Sequence, residues 1–359
     1  MKPVKIAMMS LTHGHTRKYY QTLTDSPKLD WVAACAENDQ VKEIFDRSVS
    51  GVPCYRSEEE MFDRHPEIEA VVLASGNSEH MRQVRLCTER GIHILSMKIP
   101  TFDMAEYDEM IRLVDEAQTV FQIELEMHYN PVIHRMKSLL QAGEVGRLYA
   151  FNATNITLSP VWAFPWQGVP ELSYGKRVSL REGDPRFRGG ALCDHPHIFD
   201  MIRWMTGSDF EQVYAKVSSR NIRSEIPVED VLLVNGRMKD GTSFLLDPSW
   251  SRLEERLTVP GPGWEVFPKR MEVNIALHGE KGVLMADCFG PNVYHNGVPN
   301  DRYTVQYTYF DEWIGLIDEF VNCIRRHEQP KINLKWHRRT IEAMNACYDS
   351  VRDGCPIHL

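Results

Sequence analysis

The sequence predicts two domains, an α/β domain on a parallel sheet followed by an α+β domain on a mainly antiparallel sheet. Three observations carry this reading. Strand-like and helix-like patterns alternate up to about residue 125, which implies right-handed βαβ units. Longer strands of alternating polarity, with a hairpin turn among them, replace that pattern afterwards. At 359 residues a single core usually gives way to two. The expected domains are 1–125 and 126–359, with the C-terminal helix packing back on the first.

In the first domain Val4–Met9, Trp31–Ala36, Val52–Tyr55, Ala70–Ala74, Ile92–Met97 and Thr119–Leu125 read as strands, with amphipathic segments between most of them. Ser57 with Glu60 reads as a capping box, and Gly91 as the stop after a helix over Ser78–Arg90. In the second, the strands are Leu148–Thr157, Gln212–Ser219, Val228–Met238, Thr242–Trp250, Met271–Leu277 and Gly282–Met285, and Lys239-Asp240-Gly241 supplies a hairpin turn. Helices are expected at Pro131–Gln141, around Asp194–Met205, at Asp311–Arg326 and at Leu334–Asp353.

Composition narrows the class. With 43% hydrophobic and 25% charged residues, the chain is neither collagen-like nor disordered. Its 41 Lys plus Arg against 50 Asp plus Glu, a net charge of −9 without a long basic run, argue against a nucleic-acid partner. The N-terminus lacks a secretory pattern, and the uncharged stretch Phe151–Pro170 carries three prolines, so it does not span a membrane. Eight cysteines include no C-x-x-C pair and most read as buried free thiols, and a cytoplasmic location is expected.

Several segments can carry chemistry. The turn after the first strand, Ser10-Leu11-Thr12-His13-Gly14-His15-Thr16, is where such sheets bind dinucleotide phosphates. The three fingerprint glycines fall at Ser10, Thr12 and His15, and none is present. It therefore reads either as an ordinary turn with Thr16 opening a helix or as a cofactor loop using hydroxyl and imidazole donors. Glu37 or Asp39, after the second strand, can bind a ribose 2′-OH and would favour NAD over NADP, or can form a solvated acidic loop. Ser75, Asn77 and His80 follow the fourth strand, and Lys98 follows the fifth at the ligand-binding edge.

The densest constellation is Gly189-Gly190-Ala191-Leu192-Cys193-Asp194-His195-Pro196-His197-Ile198-Phe199-Asp200. On a helix starting here, Asp194 and His197 share a face at i and i+3, a general-base arrangement; the alternative is an N-cap Asp194 and a satisfied buried His197. A metal reading would use Asp194, His195 and His197, but adjacent positions diverge around a helix and no metal is assigned. Trp162, Phe164 and Trp166 can stack on a sugar ring or anchor a loop or an oligomer contact. Arg186 and Arg188 can hold an acidic substrate group or lie on the surface.

Ala70 to His80, Met97-Lys98-Ile99-Pro100, the segment from Gly189 to Trp204 and the ending Gly354-Cys355-Pro356-Ile357 together resemble the Gfo/Idh/MocA oxidoreductases. The resemblance implies an N-terminal Rossmann domain, and a C-terminal domain whose open antiparallel sheet is often an oligomer surface. It implies hydride transfer between NAD(P) and a hydroxyl carbon of a sugar, cyclitol or glycoside, with NAD the expected cofactor. Lys98 matches the family's catalytic lysine, His197 its general base and Asp194 its substrate-positioning aspartate. Ser10, Thr12, His13, His15, Glu37, Ser75, Asn77, His80 and Lys98 are the expected cofactor contacts, and Lys98, Trp162, Trp166, Arg188, Asp194 and His195 the expected substrate contacts. The sequence departs from the family in its missing glycines, in Met97 where the family has Glu, and in an Asp194-to-His197 spacing one residue short, which leaves His195 and His197 competing for the base. A redox-neutral use of the cofactor in epimerisation, elimination or glycosidic cleavage, and a non-catalytic sensor or scaffold, are the alternatives.

Overall fold

Short, β-branched runs form a parallel sheet first. In the computed structural model, which describes residues 2–13, 15–157, 190–218, 222, 228–252, 272–288, 293–296 and 312–359, the strands β1 (Val4–Met9), β2 (Leu29–Cys35), β3 (Cys54–Tyr55), β4 (Ala70–Leu73), β5 (His93–Ser96) and β6 (Phe121–Ile123) pair in the order β3-β2-β1-β4-β5-β6. Every pairing is parallel. Ile6, Met8, Val71, Val72, Ile94 and Leu95 are wholly buried, as strands covered on both faces require. The helices α1 (Thr16–Asp25), α2 (Asp39–Ser48), α3 (Glu58–Arg64), α4 (Asn77–Thr88) and α5 (Met104–Ala117) connect them. Strand order reverses between β1 and β4, so the turns after these two strands open on the crevice where this topology binds ligands.

The chain divides into two compact units: Met1–Leu125 with Trp313–Arg338, and Glu126–Trp162, Gly189–Glu312 with Arg339–Leu359, as far as these residues are described. The second holds a short 3₁₀ turn (Glu126–Tyr129), α6 (Pro131–Gln141), α7 (Ala191–Asp194) and α8 (His197–Thr206). Its strands are β7 (Leu148–Ile156), β8 (Phe210–Val217), β9 (Leu232–Met238), β10 (Ser243–Asp247), β11 (Glu272–Gly279), β12 (Gly282–Asp287), β13 (Val293–His295) and β14 (Ile357–His358). They form an eight-stranded sheet, β13-β12-β11-β7-β10-β9-β8-β14, antiparallel except where β7 meets β10. Two helices complete the described chain, α9 (Glu312–Arg326) and α10 (Leu334–Asp353).

The second sheet has one buried and one open face, and the alternation is read directly along its strands. Val234, Phe244, Leu246, Ile275 and Leu284 point inward; Leu233, Leu245 and Met285, each 47% exposed, point the other way. The hairpin between β9 and β10 turns at Gly241, whose φ of +91° suits glycine.

Some local expectations need correction. Pro53 lacks an amide hydrogen, so the third strand shrinks to Cys54–Tyr55, although the Pro53 carbonyl still accepts from Ala34. Ser57 caps α3 by accepting from the Glu60 amide, and its hydroxyl donates to the Glu59 carboxylate. Val228–Val231 lies outside β9. The helix expected through Asp194–Met205 is two helices, since Pro196 cannot donate and His195 takes a non-helical ψ of 51°. Asp194 and His197 therefore do not share one helical face.

Candidate functional site

Ser10 stands where the first fingerprint glycine would be and adopts that glycine's backbone, with φ +71°. A side chain in this region costs on the order of 1 kcal/mol, so the turn keeps its shape without the residue that usually permits it. Its amides face inward. Leu11 N donates to both Glu37 oxygens at 3.0 and 3.1 Å, His13 N to the Ala74 carbonyl at 3.0 Å, His15 N to His13 Nδ1 at 3.2 Å and Thr16 N to the His13 carbonyl at 3.1 Å.

Glu37, not Asp39, sits at this turn, and Thr12 Oγ1 also donates to it at 2.9 Å. Burial pushes the Glu37 carboxyl above its ordinary value, while its hydrogen bonds, those from Leu11 and Thr12 among them, oppose that shift. Asp39 opens α2 and pairs with Arg56 at 3.0 Å. Glu37 lines a cavity of about 470 Å³ with Ser10, Thr12, Arg56, Ser75 and Arg82. Ser75 Oγ donates to Gln83 at 2.6 Å and Asn77 starts α4, its side chain buried. The cavity and its carboxylate fit the adenosine and ribose of a dinucleotide, whereas the amides of Leu11, His13, His15 and Thr16 are engaged within the protein.

His80 is buried on α4, with Nδ1 donating to the Pro100 carbonyl at 2.9 Å. Burial pushes this imidazole below its ordinary pKa and the carbonyl opposes the shift, so His80 is a neutral brace on the loop that carries Lys98. Lys98 itself is only 3% exposed. His13 and His15 converge with Glu124, at the end of β6: His15 Nδ1 contacts Glu124 Oε1 directly, and the His15 ring meets Trp313 edge-on at 5.4 Å.

The second unit gathers an acid–base cluster around the helix break. Asp194 Oδ2 accepts from the Trp250 indole at 2.8 Å and lies 3.4 Å from His195 Nε2. His195 Nδ1 donates to the Pro248 carbonyl at 2.6 Å, and Nε2 meets Thr157 Oγ1 at 3.2 Å. His197 Nε2 lies 3.6 Å from Glu126 Oε1. Both histidines are buried. Below the cluster, His128 Nε2 and the Thr340 hydroxyl hold Asp200 at 2.7 Å each.

The glycine pair has a steric cause at its second member. A Cβ on Gly190 would stand 2.4 Å from the Glu229 carbonyl oxygen and 2.5 Å from its side chain. Glu229 in turn accepts from the Ala191 amide through its carbonyl, and from Leu192 N and the Tyr348 hydroxyl through its carboxyl. Trp162, Phe164, Trp166, Arg186, Arg188 and Gly189 lie outside the described residues. The sequence reading missed Glu124, Glu126, Thr157, Glu229 and Trp250. Only Glu124 carried a local signal, as a charge inside the apolar run Phe121–Leu125.

Comparison with known proteins assigns both parts of the chain. Residues 9–125 match the model of the oxidoreductase family with an NAD-binding Rossmann fold, and residues 133–285 match that of the GFO/IDH/MocA C-terminal domain. Myo-inositol 2-dehydrogenase of Thermotoga maritima is 24% identical, over 78% of this chain and 76% of its own. The uncharacterized oxidoreductase YrbE of Bacillus subtilis is 25% identical over 63% of this chain, and the match spans 57% of that relative's length. Among solved structures, myo-inositol 2-dehydrogenase from Lactobacillus plantarum superposes with a TM-score of 0.76 at 20% identity, covering 100% of both chains. The WlbA dehydrogenase from Bordetella pertussis, in complex with NADH and UDP-GlcNAcA, gives 0.76 at 17% identity over 100% of this chain and 98% of that one. Matched across both its sheets, the chain belongs to the Gfo/Idh/MocA oxidoreductases.

Proposed function

We propose that this oxidoreductase transfers hydride between NAD and a hydroxyl-bearing carbon of a sugar, cyclitol or glycoside. The observation that carries the reading is the cavity at the switch point of the parallel sheet, with the Glu37 carboxylate in its wall, held there by Leu11 and Thr12. Relatives named as dehydrogenases of myo-inositol and D-apiose support the substrate class. The Rossmann domain's continuous part ends near Leu125 in this reading, with Trp313–Arg338 returning to that unit, and the second unit serves substrate binding and assembly.

Bound NAD supplies the hydride acceptor. Glu37 accepts hydrogen bonds from the ribose hydroxyls and repels a 2′-phosphate, which sets NAD above NADP. Lys98 donates to the reacting oxygen and stabilises the charge that develops as its proton leaves. His197 takes that proton, and the Glu126 carboxylate at 3.6 Å favours the imidazolium that results. His195 is held at both nitrogens by Pro248, Thr157 and Asp194, beside the base. Asp194, fixed by Trp250, positions substrate hydroxyls.

Calorimetric titration tests the reading. Wild type binds NAD+ at least about tenfold more tightly than NADP+, and Glu37→Ser narrows that ratio by a similar factor. Folded wild type that binds neither dinucleotide refutes the proposal and leaves a scaffold that has lost its cofactor. Net NADH formation with a polyol separates a dehydrogenase from a redox-neutral use of NAD.

The open face of the second sheet is the proposed oligomer surface. Leu245 on β10 and Met285 on β12 lie on one cross-strand row through Asn152 and Ala276, and Leu233 adds to it from β9. A second copy of the chain would cover these side chains.

A further inference from the structure

We infer that His13, His15 and Glu124 form a binding site for a borderline divalent transition metal of the zinc class. One ligand atom from each, two imidazole nitrogens and a carboxylate oxygen, lie within 4.8 Å of one another. Two histidines and a glutamate are a set that zinc uses when it keeps an open coordination position. Nitrogen donors select zinc, cobalt or nickel over magnesium or calcium.

The placement of the three residues supports this. His13 and His15 are two apart in a non-helical turn, which lets both rings face the end of β6, where Glu124 stands. Glu124 is fully buried, and its Oε2 has no hydrogen-bond partner among the described residues although Oε1 contacts His15 Nδ1. A buried carboxylate with an idle oxygen is costly, and a bound cation removes that cost. His15 keeps 29% of its side chain exposed, which gives an ion a way in, and Trp313 packs edge-on against its ring. Ligand atoms around tetrahedral zinc stand roughly 3.3 Å apart for bonds of about 2.0 Å. Side-chain rotations that move atoms by about 1 Å, within the reach of staggered rotamers and small backbone shifts, therefore convert the cluster into a coordination shell. If His13 ligates through Nδ1, one contact this disturbs is the 3.2 Å hydrogen bond from His15 N to that nitrogen, whose loss is small beside a coordination bond. The site uses neither Lys98 nor His197, but His13 and His15 belong to the turn that faces the proposed dinucleotide. Its test therefore reads metal binding to the cofactor-free chain, and its failure leaves intact the dehydrogenase reading, which is tested by dinucleotide binding.

The test is titration of the purified, chelator-treated full chain with Co2+, read by visible absorption. One equivalent should bind with the intense d–d bands of four- or five-coordinate cobalt, Zn2+ should displace it, and Mg2+ should not. Glu124→Gln and His15→Gln should each weaken Co2+ binding at least about 100-fold, since loss of a ligand exceeds the loss of an outer-shell partner. His358→Gln, on the exposed end of the chain, should leave it unchanged. Should Glu124→Gln fail to fold by circular dichroism, His15→Gln decides alone, because His15 is partly exposed. Absence of stoichiometric binding, weak octahedral spectra spread over several equivalents, or undiminished binding in the folded ligand variants would overturn the inference.

Discussion

Replacing Glu229 by Gln should change how stability depends on pH. Burial pushes this carboxyl up to about 7 from 4.5, while hydrogen bonds from Tyr348 and Leu192 and that of its own backbone amide oppose the shift. A raised acid pKa means that the folded state holds the proton more tightly than the unfolded chain. Below about pH 4.5 both states are protonated and the contribution is fully present; between 4.5 and 7 only the unfolded chain ionises, and stability falls; above 7 the loss is complete. A shift from 4.5 to about 7 corresponds to about 3 kcal/mol, of which about 2–3 kcal/mol is lost between pH 5 and 8. Gln cannot ionise, yet its carbonyl can still accept from Tyr348 and Leu192. At pH 5 the variant carries the cost of an added amide donor; by pH 8 the wild type has lost its advantage. For a unit of this size, Tm of Glu229→Gln minus Tm of wild type should rise by roughly 5–10 °C from pH 5 to pH 8. Differential scanning calorimetry at the two pH values measures this. Parallel pH profiles for the two proteins would falsify the assignment of a titrating, buried Glu229.

Two further outcomes follow from the same geometry. Lys98→Ala should lower turnover by about 10²–10⁴-fold, while NAD+ affinity measured by calorimetry stays within about threefold of wild type; retained turnover would remove Lys98 from the reaction. Leu245→Asp combined with Met285→Asp should shift the sedimenting species toward a single chain. Because both side chains are 47% exposed, the thermal transition of each separated chain should barely move, and an unchanged sedimentation coefficient would place the assembly surface elsewhere.

What could be read from the sequence was what local chemistry encodes. The spacing of Val4–Met9, Ala70–Leu73 and His93–Ser96 with helices between them is a repeating short-range signal, and the parallel sheet followed from it. The break at Pro196 was also encoded locally, since a residue before proline avoids helical backbone; the charged residues around it drew attention to helical facing instead. The partners of the candidate site were hidden for a different reason. Glu124 is 109 residues from His15, Trp250 is 56 from Asp194, and Glu229 is 39 from Gly190. No periodicity links residues that only the sheet order brings together. A glycine pair reads as a turn in sequence, whereas the cause at Gly190 is a neighbouring backbone that leaves no room for a Cβ.

The glycine-free turn can now be judged on the property glycine supplies. A fingerprint glycine does two things: it permits an unusual backbone, and it leaves space for phosphate to reach amides. Ser10 retains the first, at φ +71°. Thr12 and His15 forgo the second, since their side chains occupy the turn and the amides of Leu11, His13 and His15 are spent on Glu37, Ala74 and His13. The turn therefore has a positive φ at Ser10, and its amides at Leu11, His13 and His15 are engaged within the protein. Glu37 links the two effects, because one carboxylate holds the Leu11 amide and lines the cavity proposed for ribose. If ribose hydroxyls donate to Glu37, its hold on Leu11 weakens and that amide becomes available to a phosphate. Binding at the sugar and binding at the phosphate are then coupled through a single side chain, a dependence that a glycine-rich turn with unengaged amides would not show.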